Sequence, residues 1–253
     1  MWLEVRYKPT TLFSMKMSSA TNSAAKSLPC PSPYAVKMAL LNAIITYESV
    51  ETAKKCFSLI RDLEFRFALP EKWVVNNCLV RIMKLKRHDI SKEEKEKLKQ
   101  SGFSDEDISL LIRESESNDP FQEVVAFREY IFYLDAFKIA TNLSESKKEL
   151  GISLLTTWFS RINYFGKKGC FFQYEGFQIL SELTDVYSNI LDSSNITSGI
   201  MYPLDDVSSN AEFKNMDNYD YSTKDAKRIQ QIHIFPFRQV SANKNYTFYS
   251  RIK

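Results

Sequence analysis

The chain has 253 residues, of which 44% are hydrophobic and 26% charged; Lys+Arg 34 against Asp+Glu 31 leaves a formal charge of +3. That balance suits one large folded domain or two small ones, and it argues against a disordered chain; no window offers about eighteen uncharged apolar residues for a membrane span. Six glycines, with neither GxGxxG nor GxxxxGK[ST], exclude the dinucleotide and P-loop motifs, and two histidines exclude a multi-histidine metal site.

In chain order, residues 1–8 alternate Trp2, Val5 and Tyr7 with charges and predict a strand. Residues 9–26 read as a polar loop. The run Leu28-Pro29-Cys30-Pro31-Ser32-Pro33 carries three prolines, which remove amide donors and fix φ, so it is a rigid turn. Ser32 then caps a helix over 34–47 with Pro33 at its first position; Ala35, Val36, Ala39, Leu40, Ala43 and Ile44 form its apolar stripe. A second helix follows over 50–63, then strands over 64–69 and 73–86. An insertion over 89–120 carries two helix starts, Ser91-Lys92-Glu93-Glu94 and Ser104-Asp105-Glu106-Asp107, divided by Gly102. Residues 121–133 predict a strand, with 136–143 as its antiparallel partner across Leu134-Asp135. A helix over 145–162 leads into Tyr164-Phe165-Gly166-Lys167-Lys168-Gly169-Cys170. Half of the glycines, Gly166, Gly169 and Gly176, fall within the eleven residues 166–176; glycine permits φ > 0 and lets backbone amides approach a ligand. Beyond it, the reading is a helix over 181–193, an acidic loop over 194–223, and a terminal hairpin of 228–240 with 246–252. Strand, helix, strand, strand, helix, strand describes an α+β, ferredoxin-like (RRM-like) βαββαβ core. The domains are then a core over 1–180, holding a thumb-like helical insertion at 89–120, and a C-terminal β-containing extension over 181–253.

The four cysteines, Cys30, Cys56, Cys78 and Cys170, include no CxxC pair. They read as free thiols of a reducing cytoplasm, with no zinc site and no cofactor. Met1 to Arg6 lacks the basic-then-apolar pattern of a signal peptide. Charge is segmented. Residues 1–47 hold five bases and one acid, 71–87 five bases and one acid, and 224–253 seven bases and one acid, whereas 89–119 hold ten acids and five bases. Basic segments gathered on one face would make a polyanion groove; scattered, they are ordinary solvated faces.

Two groups of residues together resemble a known family: Leu28-Pro29-Cys30-Pro31-Ser32-Pro33-Tyr34-Ala35-Val36-Lys37-Met38-Ala39, and then Phe127-Arg128-Glu129-Tyr130-Ile131, Phe137-Lys138-Ile139-Ala140 and Tyr164-Phe165-Gly166-Lys167-Lys168-Gly169-Cys170. A proline turn opening an apolar helix, an R-E-Y strand and a G-K-K-G loop, in that order over 1–180, resemble the Cas5 subunit of type I CRISPR Cascade complexes, a member of the RAMP group of RNA-binding proteins. Lys37-Met38-Ala39 stands where relatives often have glycine, which leaves the subtype open. The resemblance implies a non-catalytic subunit that holds the 5′ handle of the crRNA and touches the large subunit and the adjacent backbone RAMP subunit. Target DNA is then met indirectly, and 89–120 is the thumb that reaches the backbone subunit. Read without the resemblance, 89–120 is a surface helical hairpin.

Single-stranded RNA recognition needs phosphate contacts and stacking surfaces. Lys167 and Lys168, with the Gly166 and Gly169 amides, are the expected phosphate ligands, and Tyr164 and Phe165 the expected stacking rings; Phe171 and Phe172 read as core. Arg128 is expected on the handle backbone, or in a salt bridge with Glu129. Lys16, Lys26 and Lys37 are expected in the same groove, with Lys37 on the polar side of the first helix. Arg81, Lys84 and Arg87 are expected to carry RNA toward the thumb. Metal-free cleavage of RNA by its 2′-OH would need a base, an acid and a cation; His88, His233, Tyr164 and Lys167 are the candidates, and they form no visible constellation. A protein-only scaffold is the remaining alternative.

Overall fold

The computed structural model describes residues 1–20, 24–85, 92–114, 121–143, 148–192, 198–216 and 227–252. The first elements are β1 (Trp2–Pro9), β2 (Met15–Lys16), β3 (Ala24–Ala25), β4 (Ser27–Leu28), α1 (Pro33–Tyr47), α2 (Val50–Arg61), β5 (Phe65–Ala68) and β6 (Lys72–Leu85). Then come α3 (Lys92–Gln100), α4 (Asp105–Glu114), β7 (Phe121–Tyr133), β8 (Phe137–Asn142), α5 (Lys148–Ser160) and β9 (Phe172–Leu180). The C-terminal part holds β10 (Asn189–Ile190), β11 (Ile200–Val207), a short 3-10 turn (Phe213–Asn215), β12 (Arg228–Phe235), β13 (Phe237–Ala242) and β14 (Tyr246–Arg251). The class is α+β, with mostly antiparallel sheets. Contacts divide the chain into two compact units, Met1–Cys78 with Arg128–Lys253, and Leu79–Phe127.

In the first unit a four-stranded antiparallel sheet runs β5-β8-β1-β9. Alternation along β1 sends Leu3, Val5 and Tyr7 into the core beside Phe65, Phe67, Phe137 and Ile139. Burying each such side chain is worth about 1.5–3 kcal/mol. Helix α5 packs on β1, β9 and α1, and α1 packs on α2 and β11. The cap is as the sequence requires: Ser32 Oγ accepts from the Ala35 amide at 3.2 Å, and Pro33 opens the helix. The other face of β1 carries Glu4, which is fully buried. Tyr187 and Gln178 donate to its carboxylate, and Lys138 Nζ lies 3.3 Å away.

In the second unit Gly102, at φ +93°, separates α3 from α4. Ser104 caps α4 reciprocally: its Oγ accepts from the Asp107 amide at 3.1 Å, while its own amide donates to Asp107 Oδ2 at 2.9 Å. Lys99 pairs with Asp105 at 2.9 Å.

Four expectations are corrected. Strand β8 pairs with β1 and β5, not with β7, which lies between β6 and β3; Tyr133 and Phe137 are both buried, on either side of an exposed turn at Leu134-Asp135 where the chain crosses from one sheet to another. The segment expected as a helix over 181–193 is turns and β10 as far as 192; Leu183, Val186 and Tyr187 instead cover Ala68 and Ala140 of the four-stranded sheet. Within the expected acidic loop, β11 forms and pairs with β12 over its whole length. The expected strand 228–240 breaks at Pro236, and its halves join different sheets: β12 pairs with β10 and β11, while β13 makes the terminal hairpin with β14.

Candidate nucleic-acid interface

The loop after α5 is a tight hairpin. Phe172 N–H donates to Asn163 O at 2.9 Å, Tyr164 and Phe171 form a bridge, and Cys170 N–H donates to Lys167 O at 3.1 Å. That last bond closes a turn with Gly169 at its third position and φ +107°, a conformation that demands glycine. Gly166 has φ +67°, and a Cβ at either glycine would meet nothing within 4 Å, so both face open space. The side chain of Phe165 points the other way, into the core against Tyr7, Phe137 and Phe172. The hairpin is therefore anchored by a buried ring while Lys167 and Lys168 stay exposed at its tip.

This tip forms one wall of a cleft of about 520 Å³. Lys16 of β2 and Arg128 of β7 line it with Lys167 and Lys168, and Ser32 and Ala35 bring the N-terminus of α1 to its edge. Local alternation explains the placement. Met15 is buried, which turns Lys16 outward. Arg128 and Tyr130 face the cleft, whereas Glu129 accepts from the Ser27 amide at 2.8 Å and lines a different hollow. No carboxylate is among the described residues that line the cleft. Four cations, two left-handed glycines and the positive end of a 15-residue helix make a surface built for anions.

The structure thus brings together Lys16, Arg128, Gly166, Lys167, Lys168 and Gly169, with Tyr164 half-buried on an adjoining groove. Lys26 is exposed but lines the hollow that holds Glu129. It is therefore not in the groove expected for it, and two further expectations fail. Lys37 is 2% exposed and sits in an ion pair with Asp206 at 2.6 Å, with a second bond to Arg61 O at 2.7 Å. Burial pulls its ammonium below the usual value, against the pull of Asp206; it ties α1 to β11 and to the C-terminus of α2. Phe165 is wholly buried and stacks on nothing outside the core, whereas Phe171, read as core, is exposed. Arg81 belongs to the second unit, where it is exposed and lies 3.4 Å from Glu123. The Lys84 side chain, Arg87 and His88 lie outside the described residues.

His233 is wholly buried between Phe67 and Phe235, with Nδ1 3.2 Å from Ser188 Oγ. Burial, then the nearby Arg66 guanidinium, pushes its pKa down to about 3. It is a neutral core residue, away from any surface where a candidate acid or base would meet RNA. Among the described residues no group of His, Cys, Asp and Glu could hold a metal ion, and no helix is long and apolar enough to cross a membrane. Sequence reasoning missed Tyr130, Met15 and the helix edge at Ser32 and Ala35 as parts of the cleft; the alternation around Arg128 carried the signal for Tyr130.

No family model matches the chain. It is 21% identical over 225 residues to the CRISPR-associated protein Cas5 of Archaeoglobus fulgidus, covering 86% of this chain and 85% of that one. That similarity runs along most of both chains. Two solved structures align with the chain. A CRISPR protein from Archaeoglobus fulgidus is 11% identical with a TM-score of 0.46, over 100% of this chain and 92% of that one. A chain of a CRISPR RNA-guided surveillance complex is 12% identical with a TM-score of 0.42, over 93% and 90%. The proline turn, the R-E-Y strand and the G-K-K-G loop quoted from the sequence all contribute residues to the one cleft.

Proposed function

We propose that the protein is a non-catalytic, crRNA-binding subunit of a type I CRISPR Cascade complex and that it holds the 5′ handle of the guide RNA in the cationic cleft. One observation carries the reading: Lys16, Arg128, Lys167 and Lys168 converge on a hollow lined by no carboxylate, beside a helix N-terminus. Phosphates of a single strand would be neutralised by the lysines and Arg128, and would accept from backbone amides freed by the two glycine turns.

The scaffold we propose is a ferredoxin-like βαββαβ core. Its support is the strand order β9-β1-β8-β5, with α1 and α2 between β1 and β5 and α5 between β8 and β9. The unit Leu79–Phe127 would be the thumb toward the adjacent backbone subunit. It leaves Leu79, Met83, Phe121 and Val125 exposed, side chains that a protein partner would cover. The large subunit would complete the assembly, which meets target DNA through the guide. The non-catalytic reading is supported by His233, a buried neutral imidazole that could neither take nor give a proton to RNA.

The test is RNA affinity against salt. Lys167→Ala/Lys168→Ala should weaken binding of a repeat-derived RNA and lower the slope of log K against log salt by about 1.4, since each phosphate neutralised on a single strand contributes about 0.7. Unchanged affinity and slope would remove the cleft from the binding surface. Cleavage of the same RNA in EDTA would replace the non-catalytic reading with an endoribonuclease.

A further inference from the structure

The five-stranded sheet β13-β14-β6-β7-β3 turns one face to the core and leaves the other open. Trp73 stacks on Tyr249 and meets Tyr133 on the inner face, so alternation sends Lys72, Ser250 and Phe132 to the outer one. There the register sets Lys72, Ser250 and Arg238 side by side on three adjacent strands. The two cations are exposed and stand about 10 Å apart, across two strand spacings. Neither has an ion-pair partner among the described residues. Strands β13 and β14 and residues 72–78 of β6 contain no acidic residue. Beyond the cationic row, the same face carries Phe248, half-buried, and Tyr246, partly open to solvent. Phe132 on β7 is 41% exposed there. None of these residues lines the cationic cleft.

A row of cations beside open aromatic rings meets the two needs of a single nucleic-acid strand: charge for its phosphates and π faces for its unstacked bases. Such a platform tolerates any sequence, because point charges and rings do not distinguish one base from another. That suits a strand whose sequence changes with every target better than it suits a constant handle. When a guide pairs with one strand of a duplex, the other is displaced as a single strand. We propose that the outer face of this sheet holds that displaced DNA strand, as a second nucleic-acid site separate from the cleft. The inference rests on the guide-binding reading above, and it adds direct contact with DNA to contact through the guide.

The test uses the full chain with one equivalent of repeat-derived RNA in its cleft, and a labelled oligo(dT) dodecamer as the probe. The dodecamer should bind without releasing the RNA. Lys72→Ala/Arg238→Ala, at two exposed positions, should lower the slope of log K against log salt for DNA by about 1.4, at about 0.7 per phosphate of a single strand. The slope for RNA should not move. Phe248→Leu keeps an apolar side chain and removes the π face; it should weaken DNA binding about five- to a hundredfold, whereas Phe248→Tyr, which keeps the ring, should not. Release of either nucleic acid by the other, an unchanged DNA slope in Lys72→Ala/Arg238→Ala, or full DNA affinity in Phe248→Leu would overturn the sheet site. The cleft would then still stand if Lys167→Ala/Lys168→Ala lowers the slope for RNA. Failure of the RNA to bind the unaltered chain would overturn the guide-binding reading, and with it the displaced strand as the occupant of the sheet.

Discussion

The start of α1 and the 163–172 hairpin each present lysine beside small residues, yet the fold spends them in opposite ways. On α1, Lys37 is sealed beneath β11, its charge matched by Asp206 and by a carbonyl at the end of α2. On the hairpin, a buried phenylalanine does the anchoring and leaves Lys167 and Lys168 in solvent at the edge of the cleft. The difference teaches that a cation reports a ligand only when another residue of its segment carries the packing. Where the lysine itself is the packing residue, its charge belongs to the fold.

The largest effect that would sharpen this contrast is Lys37→Ala. It strands Asp206 without its partner, and a loss of about 3–5 kcal/mol is expected in chemical denaturation. Lys37→Met/Asp206→Ala, which removes both charges, should recover most of that loss. If Lys37→Ala left stability intact and weakened RNA binding instead, the contrast would break.

Next comes pH. The folded His233 has its pKa near 3, well below the ordinary imidazole value of about 6.5. The unfolded chain therefore binds the proton first as pH falls, and stability present above about pH 6.5 is lost progressively down to about pH 3. At pH 5 the loss is about 2 kcal/mol. A His233→Phe variant should show a flatter stability profile between those limits, measured by thermal midpoint against pH; parallel profiles would contradict the buried neutral assignment.

A smaller effect is expected at Gly169. Its missing Cβ faces open space, so Gly169→Ala is strained by φ +107° alone, at a cost of about 1–3 kcal/mol. Hydrogen exchange should rise first at the Cys170 amide, which closes the turn. The smallest stability change belongs to Lys167→Ala/Lys168→Ala, within about 0.5 kcal/mol for exposed side chains that pack nothing. That neutrality separates it from Lys37→Ala, and it lets any change in RNA affinity be read as lost contact rather than lost fold.

Local chemistry made part of this legible in advance. Ser32 and Pro33 announce the start of α1 because capping and a fixed φ depend on adjacent residues only, and the structure places the cap there. Gly166 and Gly169 announce turns for the same reason. The face of α1 on which Lys37 lies was not legible, because that helix is apolar nearly all round and offers no polar side to orient it. Nor was the partner of β8: alternation in Phe137-Lys138-Ile139-Ala140 says strand, but it is silent on which neighbour supplies the hydrogen bonds.

By itself, then, the sequence determined the elements whose causes lie within a turn or two of chain: the proline-capped helix, the glycine hairpin, and the alternating strands. Tertiary structure alone decided that Asp206, some 170 residues away, would claim Lys37, and that Lys16, Arg128 and the hairpin tip would meet across one cleft. Such outcomes follow from long-range strand order and from burial, which select among locally equivalent faces only once the whole core has closed.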